Sequence, residues 1–309
     1  MSTVEESNGR GETTPLSPKL AVQLAAPHTW PASIMPVLIA TGLSAATVGW
    51  LSPLMAVLLL VICILMQSSV NTFNDYFDFV KGTDSAEDNV EATDAVLIYN
   101  AVNPRAVLWL AIGFLAAAFL LGVIVIYQAG PTPLVIALIG ALAVVAYSGG
   151  KTPLSYLPIG EVVSGCVMGG LIPLACYQVL TGFLDFTVLL WAIPTIIGVG
   201  LIMMTNNTCD IEKDALARRR TLPVLLGRSH ARSLYHALLI TWVISIVIIV
   251  RLWFPNGFVV MPFMVLGAYP LAAALWKNPL APAARIGAMA QISSLNVVLG
   301  AFYAAALML

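Results

Sequence analysis

Two stretches of this chain concentrate side chains able to hold a metal ion or a phosphate. The first reads Asn71-Thr-Phe-Asn74-Asp75-Tyr-Phe-Asp78-Phe-Val-Lys-Gly82-Thr-Asp84, and the second Asn206-Asn207-Thr-Cys-Asp210-Ile-Glu-Lys-Asp214. On a helix, residues three, four and seven apart share a face. Asn71, Asn74 and Asp78 keep that spacing, and so do Asn207, Asp210 and Asp214, 136 residues further on. The repetition hints at two similar halves. Asp78, Asp84, Asp210 and Asp214 would repel one another if brought together without cations. Hard oxygen donors suit Mg²⁺, which keeps several waters and binds through carboxylates together with substrate phosphates. The chemistry implied is a diphosphate clamped by Mg²⁺. Lys151, four residues after Tyr147, and Arg218-Arg219-Arg220, just past the second stretch, supply cations to neutralise a departing diphosphate. Plainer readings exist for each. The acidic groups could simply end their helices in water, the arginines could orient the chain or meet anionic lipid, and Lys151 could be a snorkelling anchor.

The elements that must carry these residues are apolar. The chain has 309 residues, 60% hydrophobic and 9% charged, where a soluble domain carries about 25% charged residues. A net charge of −1 gives no pointer to nucleic acid. Cys63, Cys166, Cys176 and Cys209 lack metal or redox spacing and read as packing residues. His28, His230 and His236 do not form a ligand set. A bilayer core of about 30 Å needs roughly 20 apolar residues per helix. Segments 32–50, 53–79, 104–128, 131–148, 157–181, 184–207, 232–252, 256–276 and 286–309 predict about nine transmembrane helices. None alternates with period two as a β-barrel strand would.

Residues 1–18 are polar and lack an apolar leader core. They read as a disordered cytoplasmic tail ahead of a transmembrane domain over 19–309. With the N-terminus inside, 13 of the 14 Lys and Arg residues fall on the cytoplasmic side and only Arg251 outside. The C-terminus then lies outside. The long connections, 80–103 and 208–231, are both cytoplasmic, and both acidic stretches sit at cytoplasmic helix ends. Carboxylates and amides are expensive at membrane depth and mark functional sites there.

These residues resemble the UbiA superfamily of membrane prenyltransferases. Asn74-Asp75-Tyr-Phe-Asp78, with Gly82 and Asp84, matches its first motif. Asn207-Thr-Cys-Asp210-Ile-Glu-Lys-Asp214, followed by Arg220-Thr221-Leu222 and Gly227, matches its second, and Tyr147 and Lys151 fit its Tyr-xxx-Lys element. The resemblance spans about 20–309 and agrees with a nine-helix bundle. Within the family the chain looks most like the menaquinone branch, the 1,4-dihydroxy-2-naphthoate polyprenyltransferases. That likeness rests on Pro31-Ala-Ser-Ile-Met-Pro36, Asp78-Phe-Val-Lys-Gly-Thr-Asp84, Tyr147-Ser-Gly-Gly150, Tyr156-Leu-Pro-Ile-Gly-Glu161 and Asn206-Asn207.

The resemblance implies Mg²⁺ held by Asn74, Asp78, Asp84, Asn207, Asp210 and Asp214, binding the diphosphate of an allylic polyprenyl donor. Asn74, Tyr147, Lys151, Asn207, Arg219 and Arg220 are the implied substrate contacts, and Asp75, Asp78, Asp210 and Lys151 the catalytic residues. Asp75 either supports a ligand or acts as a base. An electron-rich aromatic acceptor attacks the allylic cation and, in this branch, loses its carboxylate. The implied partners are the polyprenyl diphosphate, the aromatic acceptor and the bilayer of the cell membrane.

Three positions depart from the family pattern. Ala26-Pro27 stands where Arg-Pro is common, Cys209 where a basic residue often precedes the second-motif Asp, and residues 85–104 contain no Lys or Arg. A different acceptor therefore stays open: a futalosine-type dihydroxynaphthoate, 4-hydroxybenzoate, homogentisate, haem or a glyceryl phosphate. From other classes, an ion-coupled transporter or channel would also use intramembrane carboxylates. Here, however, they gather at one face rather than at the midplane. A non-catalytic scaffold would not need both motifs.

Overall fold

A computed structural model of the protein describes residues 14–81, 96–100, 102–148 and 152–309, apart from the side chains of Asp78, Lys81, Ile98 and Ser148. Proline and glycine punctuate its helices. Helix α1 (Pro18–Leu24) is capped by Ser17, whose Oγ accepts from the Leu20 amide. Helix α2 (Pro31–Val48) opens on proline, where a missing N–H costs nothing. It closes at Gly49, whose φ of 70° is the left-handed conformation of a helix C-cap. Then come α3 (Pro53–Lys81), α4 (Val96–Tyr99), α5 (Pro104–Ala129) and α6 (Thr132–Ser148). Next, α7 (Gly160–Ser164) passes through a π-helical stretch, Gly165–Leu171, into α8 (Ile172–Thr181). The chain finishes with α9 (Val188–Trp191), α10 (Ile193–Cys209), α11 (Ile211–Leu216), α12 (Leu222–Trp253), α13 (Met261–Lys277) and α14 (Arg285–Leu307). Among the described residues the only β contact is a bridge between Thr14 and Val102.

Among the described residues, seven helical stretches are long and apolar enough to cross a membrane: Pro31–Val48, Pro53–Phe77, Pro104–Ala129, Gly160–Thr181, Leu222–Trp253, Pro255–Lys277 and Pro282–Leu307. The protein is an all-helical, multi-pass membrane protein. The fourth and sixth expected segments fall on shorter apolar helices, Thr132–Tyr147 and Ile193–Cys209.

Two boundaries differ from the sequence expectation. The connection expected over 208–231 is largely helical, because α11 and the first turns of α12 occupy it. Arg218, Arg219 and Arg220 lie in the non-helical gap between α11 and α12, whereas Arg228 lies within α12. Helix α12 is itself kinked at Gly227, whose φ of 70° and ψ of 158° leave the helical region. The expected helix over 184–207 is divided at Ala192 between α9 and α10.

The helices bury unequal shares of their surface. The largest core joins α2, α8, α10, α12, α13 and α14, with Leu43, Leu201, Tyr235, Ile246, Met264, Ile292 and Tyr303 almost fully enclosed. Helix α5, by contrast, exposes Leu120 and Tyr127 on a broad apolar face. In a soluble protein such a surface would be a liability. In a bilayer it is the face that meets lipid.

Candidate functional site

The second motif stands at the end of α10, and the packing of α7 explains what surrounds it. Gly165 and Gly169 lie directly against α10. A Cβ at Gly165 would come within 2.5 Å of the Ile196 carbonyl oxygen, and one at Gly169 within 2.6 Å of the Ile196 backbone. Only glycine permits so close an approach. One turn before Gly165, Glu161 is thereby carried in beside α10. It is 5% exposed, and its Oε1 accepts from the Nδ2 of Asn207 at 2.8 Å. Its Oε2 is buried without a hydrogen-bond partner among the described residues.

A second charge approaches from α14. Arg285, at the first position of α14, is 9% exposed. Its Nη2 donates to the Asn206 Oδ1 at 2.6 Å and its Nε to the Asp210 Oδ2 at 3.3 Å. Its Nη1 is buried without a partner among the described residues. The face expected to carry Asn207, Asp210 and Asp214 is not one uninterrupted helix. Helix α10 ends at Cys209, and Asp210 leaves helical geometry at φ −99°, ψ 17°. The turn survives nonetheless, because the Asp214 amide donates to the Asp210 carbonyl at 2.8 Å.

Among the described residues, Asp214 is the most buried of the expected ligands, at 2% exposure. Burial pushes its carboxyl up to about 6, against the pull of Arg219, with the nearby Asp210 raising it further. The Arg219 Nη1 lies 3.4 Å from its Oδ1, and the Thr221 hydroxyl donates to its Oδ2 at 3.4 Å. Arg219 also sits over the ring of Tyr156, 4.8 Å from its centroid. The Arg220 backbone amide donates to the Tyr156 carbonyl at 2.8 Å, while its side chain is exposed. Tyr147 ends α6 with its hydroxyl beside Gly160, near enough to feel the charges of Glu161, Arg219 and Asp214. The structure thus gathers Tyr147, Asn207, Asp210, Asp214 and Arg219 at one end of the bundle.

The first motif is held differently. Asn71 donates through Nδ2 to the Ala25 carbonyl at 3.0 Å and to the Thr29 hydroxyl at 2.8 Å, and its Oδ1 accepts from Gln67 at 3.1 Å. Asp75, 8% exposed, accepts from the backbone amides of Val96 at 2.6 Å and Leu97 at 3.2 Å. Asn74 is exposed. Ala26, where the family often carries arginine, is buried and left-handed, with φ 46°. The Asp78 side chain, Asp84 and Lys151 lie outside the described residues.

Among the described residues no three His, Cys, Asp or Glu side chains converge as a closed metal cluster. The donor chemistry nonetheless fits Mg²⁺. Asp210, Asp214 and the amide oxygen of Asn207 are hard donors at one spot. Asp214 is a buried carboxylate under-compensated by its neighbours, which an added cation would relieve. Two members of this network escape a reading of the sequence. Glu161 is visible there only as the end of Tyr156-Leu-Pro-Ile-Gly-Glu161, and Arg285 only as a charge before the last helix.

A buried network of carboxylates, amides and arginines at one end of a multi-pass bundle is the setting of a membrane enzyme. The model of the UbiA prenyltransferase family matches residues 33–307, so the chain belongs to that family and is a prenyltransferase. It is similar to the 1,4-dihydroxy-2-naphthoate octaprenyltransferase of Bacillus subtilis, with 33% identity over 250 residues, covering 79% of each chain. The 1,4-dihydroxy-2-naphthoate octaprenyltransferase of Mycobacterium tuberculosis is 30% identical over 287 residues, covering 90% of this chain and 94% of that one. In fold it is similar to a UbiA homologue from Archaeoglobus fulgidus solved with DMAPP and Mg²⁺. The TM-score is 0.60 at 15% identity, over 92% of this chain and 98% of that one.

Proposed function

We propose that this enzyme transfers a polyprenyl group from an allylic polyprenyl diphosphate to 1,4-dihydroxy-2-naphthoate, with loss of the acceptor's carboxylate, as a step toward menaquinone. The observation that carries the reading is the convergence of Asn207, Asp210, Asp214 and Arg219 at the end of α10 in a chain similar to enzymes named for that acceptor. The acceptor-free alternatives fit less well, because a transporter needs a polar path through the bundle and these charges gather at one end.

Asn207, Asp210 and Asp214, with Asn74, Asp78 and Asp84 from the first motif, are the proposed holders of Mg²⁺. When bound, the ion would neutralise the diphosphate and make it a better leaving group. The C–O bond of the donor breaks, and its electron pair leaves with the diphosphate. The ring carbon bearing the carboxylate attacks the allylic cation, forming a C–C bond. The carboxylate departs as CO₂ and returns its bonding pair to the ring. Arg219, with Lys151 and Arg220, is proposed to bind the departing diphosphate. Tyr147 lines the reaction space, and exclusion of water keeps the cation from being quenched. Both oxygens of Asp75 lie on backbone amides, which supports a positioning role rather than that of a general base.

We place nine crossings in the cytoplasmic membrane with the N-terminus inside, because that topology puts 13 of 14 basic residues on one face. The donor's tail would then lie among apolar helices. A second reading, transfer to another aromatic acceptor, draws support from the absence of Lys and Arg between residues 85 and 104.

The test is an assay of purified protein with labelled polyprenyl diphosphate and 1,4-dihydroxy-2-naphthoate, in Mg²⁺ or in EDTA. Mg²⁺-dependent prenylated product is the expected result. Donor turnover with another acceptor only would move the substrate, and no interaction with the donor would sink the enzyme reading.

A further inference from the structure

Asn206 and Asn207 are adjacent amides at the metal-facing end of α10, and each offers both a donor and an acceptor. Their surroundings are not symmetric. Arg285 can only donate, so Asn206 must turn its Oδ1 toward the guanidinium, 2.6 Å away. A carboxylate can only accept, so Asn207 must turn its Nδ2 toward Glu161, 2.8 Å away. The consequence is opposite for the two residues. Asn206 spends its oxygen within the protein. Asn207 keeps its oxygen, which accepts no hydrogen bond among the described residues, and that oxygen is the atom a hard cation requires.

We propose that Glu161 and Arg285 are positioning residues that sort this pair of amides, so that Asn207 alone presents its oxygen to Mg²⁺. Both are at least nine-tenths buried, and both reach α10 from helices distant in sequence. Each retains a buried polar atom without a partner among the described residues, Glu161 Oε2 and Arg285 Nη1. Burying a charge on so few hydrogen bonds is costly. Outer groups that orient a metal ligand commonly change metal affinity 10–100-fold when removed. The inference rests on the Mg²⁺ reading of the site.

The experiment is Mn²⁺ binding to the full-length protein in detergent, read by electron paramagnetic resonance in the presence of inorganic pyrophosphate. Glu161→Gln keeps shape but presents either an amide or a carbonyl to Asn207. Its affinity for Mn²⁺ is expected to fall about tenfold or more. Adding Asn207→Asp should restore binding, because an aspartate offers oxygen in either orientation and accepts from the introduced glutamine amide. The same Asn207→Asp change alone, facing Glu161, should not strengthen binding. Wild-type affinity in Glu161→Gln, or a loss that Asn207→Asp leaves unrescued, overturns the proposal. If Glu161→Gln does not fold, Asn206→Ala and Asn207→Ala decide. The proposal expects only the second to lose Mn²⁺, and equal losses refute it. A wild-type protein that binds no Mn²⁺ would sink the Mg²⁺ reading itself, together with this inference.

Discussion

The two acidic motifs share a spacing, yet the protein treats them in opposite ways. Around the first, the hydrogen-bond partners among the described residues are neutral. Asn71 is saturated by the Ala25 carbonyl, Thr29 and Gln67, and Asp75 rests on two backbone amides. Those bonds fasten α3 to the start of the chain and to α4. Around the second, the partners are charged: Glu161 on Asn207, Arg285 on Asp210, and Arg219 on Asp214. Asn71 spends its amide on neutral groups within the fold, whereas a carboxylate paired with arginine is poised to exchange one cation for another. Among the described residues, then, Asn71 and Asp75 anchor the first motif, while the charged pairs of the second are the ones poised to respond to a cation.

The largest expected break in this comparison is Asp210→Asn. The amide still accepts from Arg285 but carries no charge for a cation, and product formation should fall by about 10²–10³-fold. Turnover within about tenfold of wild type would mean that the charged pairs of the second motif are not poised to respond. Next comes Asn71→Ala, which removes the bonds to the Ala25 carbonyl and to Thr29 from a part-buried site. It should cost about 1–3 kcal/mol of stability, seen as a lower melting temperature in EDTA, with Mg²⁺ affinity in the surviving fold near wild type. A large loss of Mg²⁺ affinity at unchanged stability would instead make Asn71 part of the metal site.

How much of this contrast is legible in the sequence follows from what kind of interaction carries it. The spacing of Asn207, Asp210 and Asp214 is local, and it announces the motif. The apolar runs announce the helices because burial in lipid demands continuous apolar sequence. Glu161 and Arg285 are not legible as site residues, because they lie 46 and 75 residues from their partners Asn207 and Asp210. Their meaning comes from helices meeting in space, through the glycines that let α7 touch α10. The helical character of 222–231 is hidden for a related reason. Arg228 and Arg232 interrupt hydrophobicity, while the backbone continues as helix beyond the Gly227 kink.

A smaller effect separates the motifs by pH. The Asp214 carboxyl is raised from 3.8 to about 6, chiefly by burial. The folded protein therefore holds this proton more tightly than the unfolded chain between those values. The contribution of Asp214 to stability falls as pH rises through that window and levels off above it. In EDTA, the melting temperature of wild type relative to Asp214→Asn should drop from about pH 4 to about pH 7. Mg²⁺ should diminish that drop, because the ion stabilises the ionised form. A difference between the two proteins that is flat with pH would show that Asp214 is ionised throughout the range.

The smallest expected effect comes from a charge pair near the second motif that faces water. Glu212 accepts from Arg228 through both oxygens, at 2.8 and 2.6 Å, and the arginine holds its carboxyl below the usual range. Yet the Glu212 side chain is 61% exposed, against 15% for Asp210 in its pair with Arg285. Solvent and salt screen the exposed pair, so Glu212→Gln should cost only about 0.2–1 kcal/mol and leave Mg²⁺ affinity unchanged. Arg228 itself does more, because its Nη1 donates to the carbonyls of Thr208 and Leu280 and so ties the end of α10 to the connection before α14. Arg228→Ala would leave those carbonyls short of a partner, and it should lower the melting temperature well beyond Glu212→Gln. Equal melting temperatures for the two variants would mean that the ion pair, and not the backbone tie, holds this corner. In that case the distinction between anchoring by backbone and response by charge would fail at the edge of the second motif.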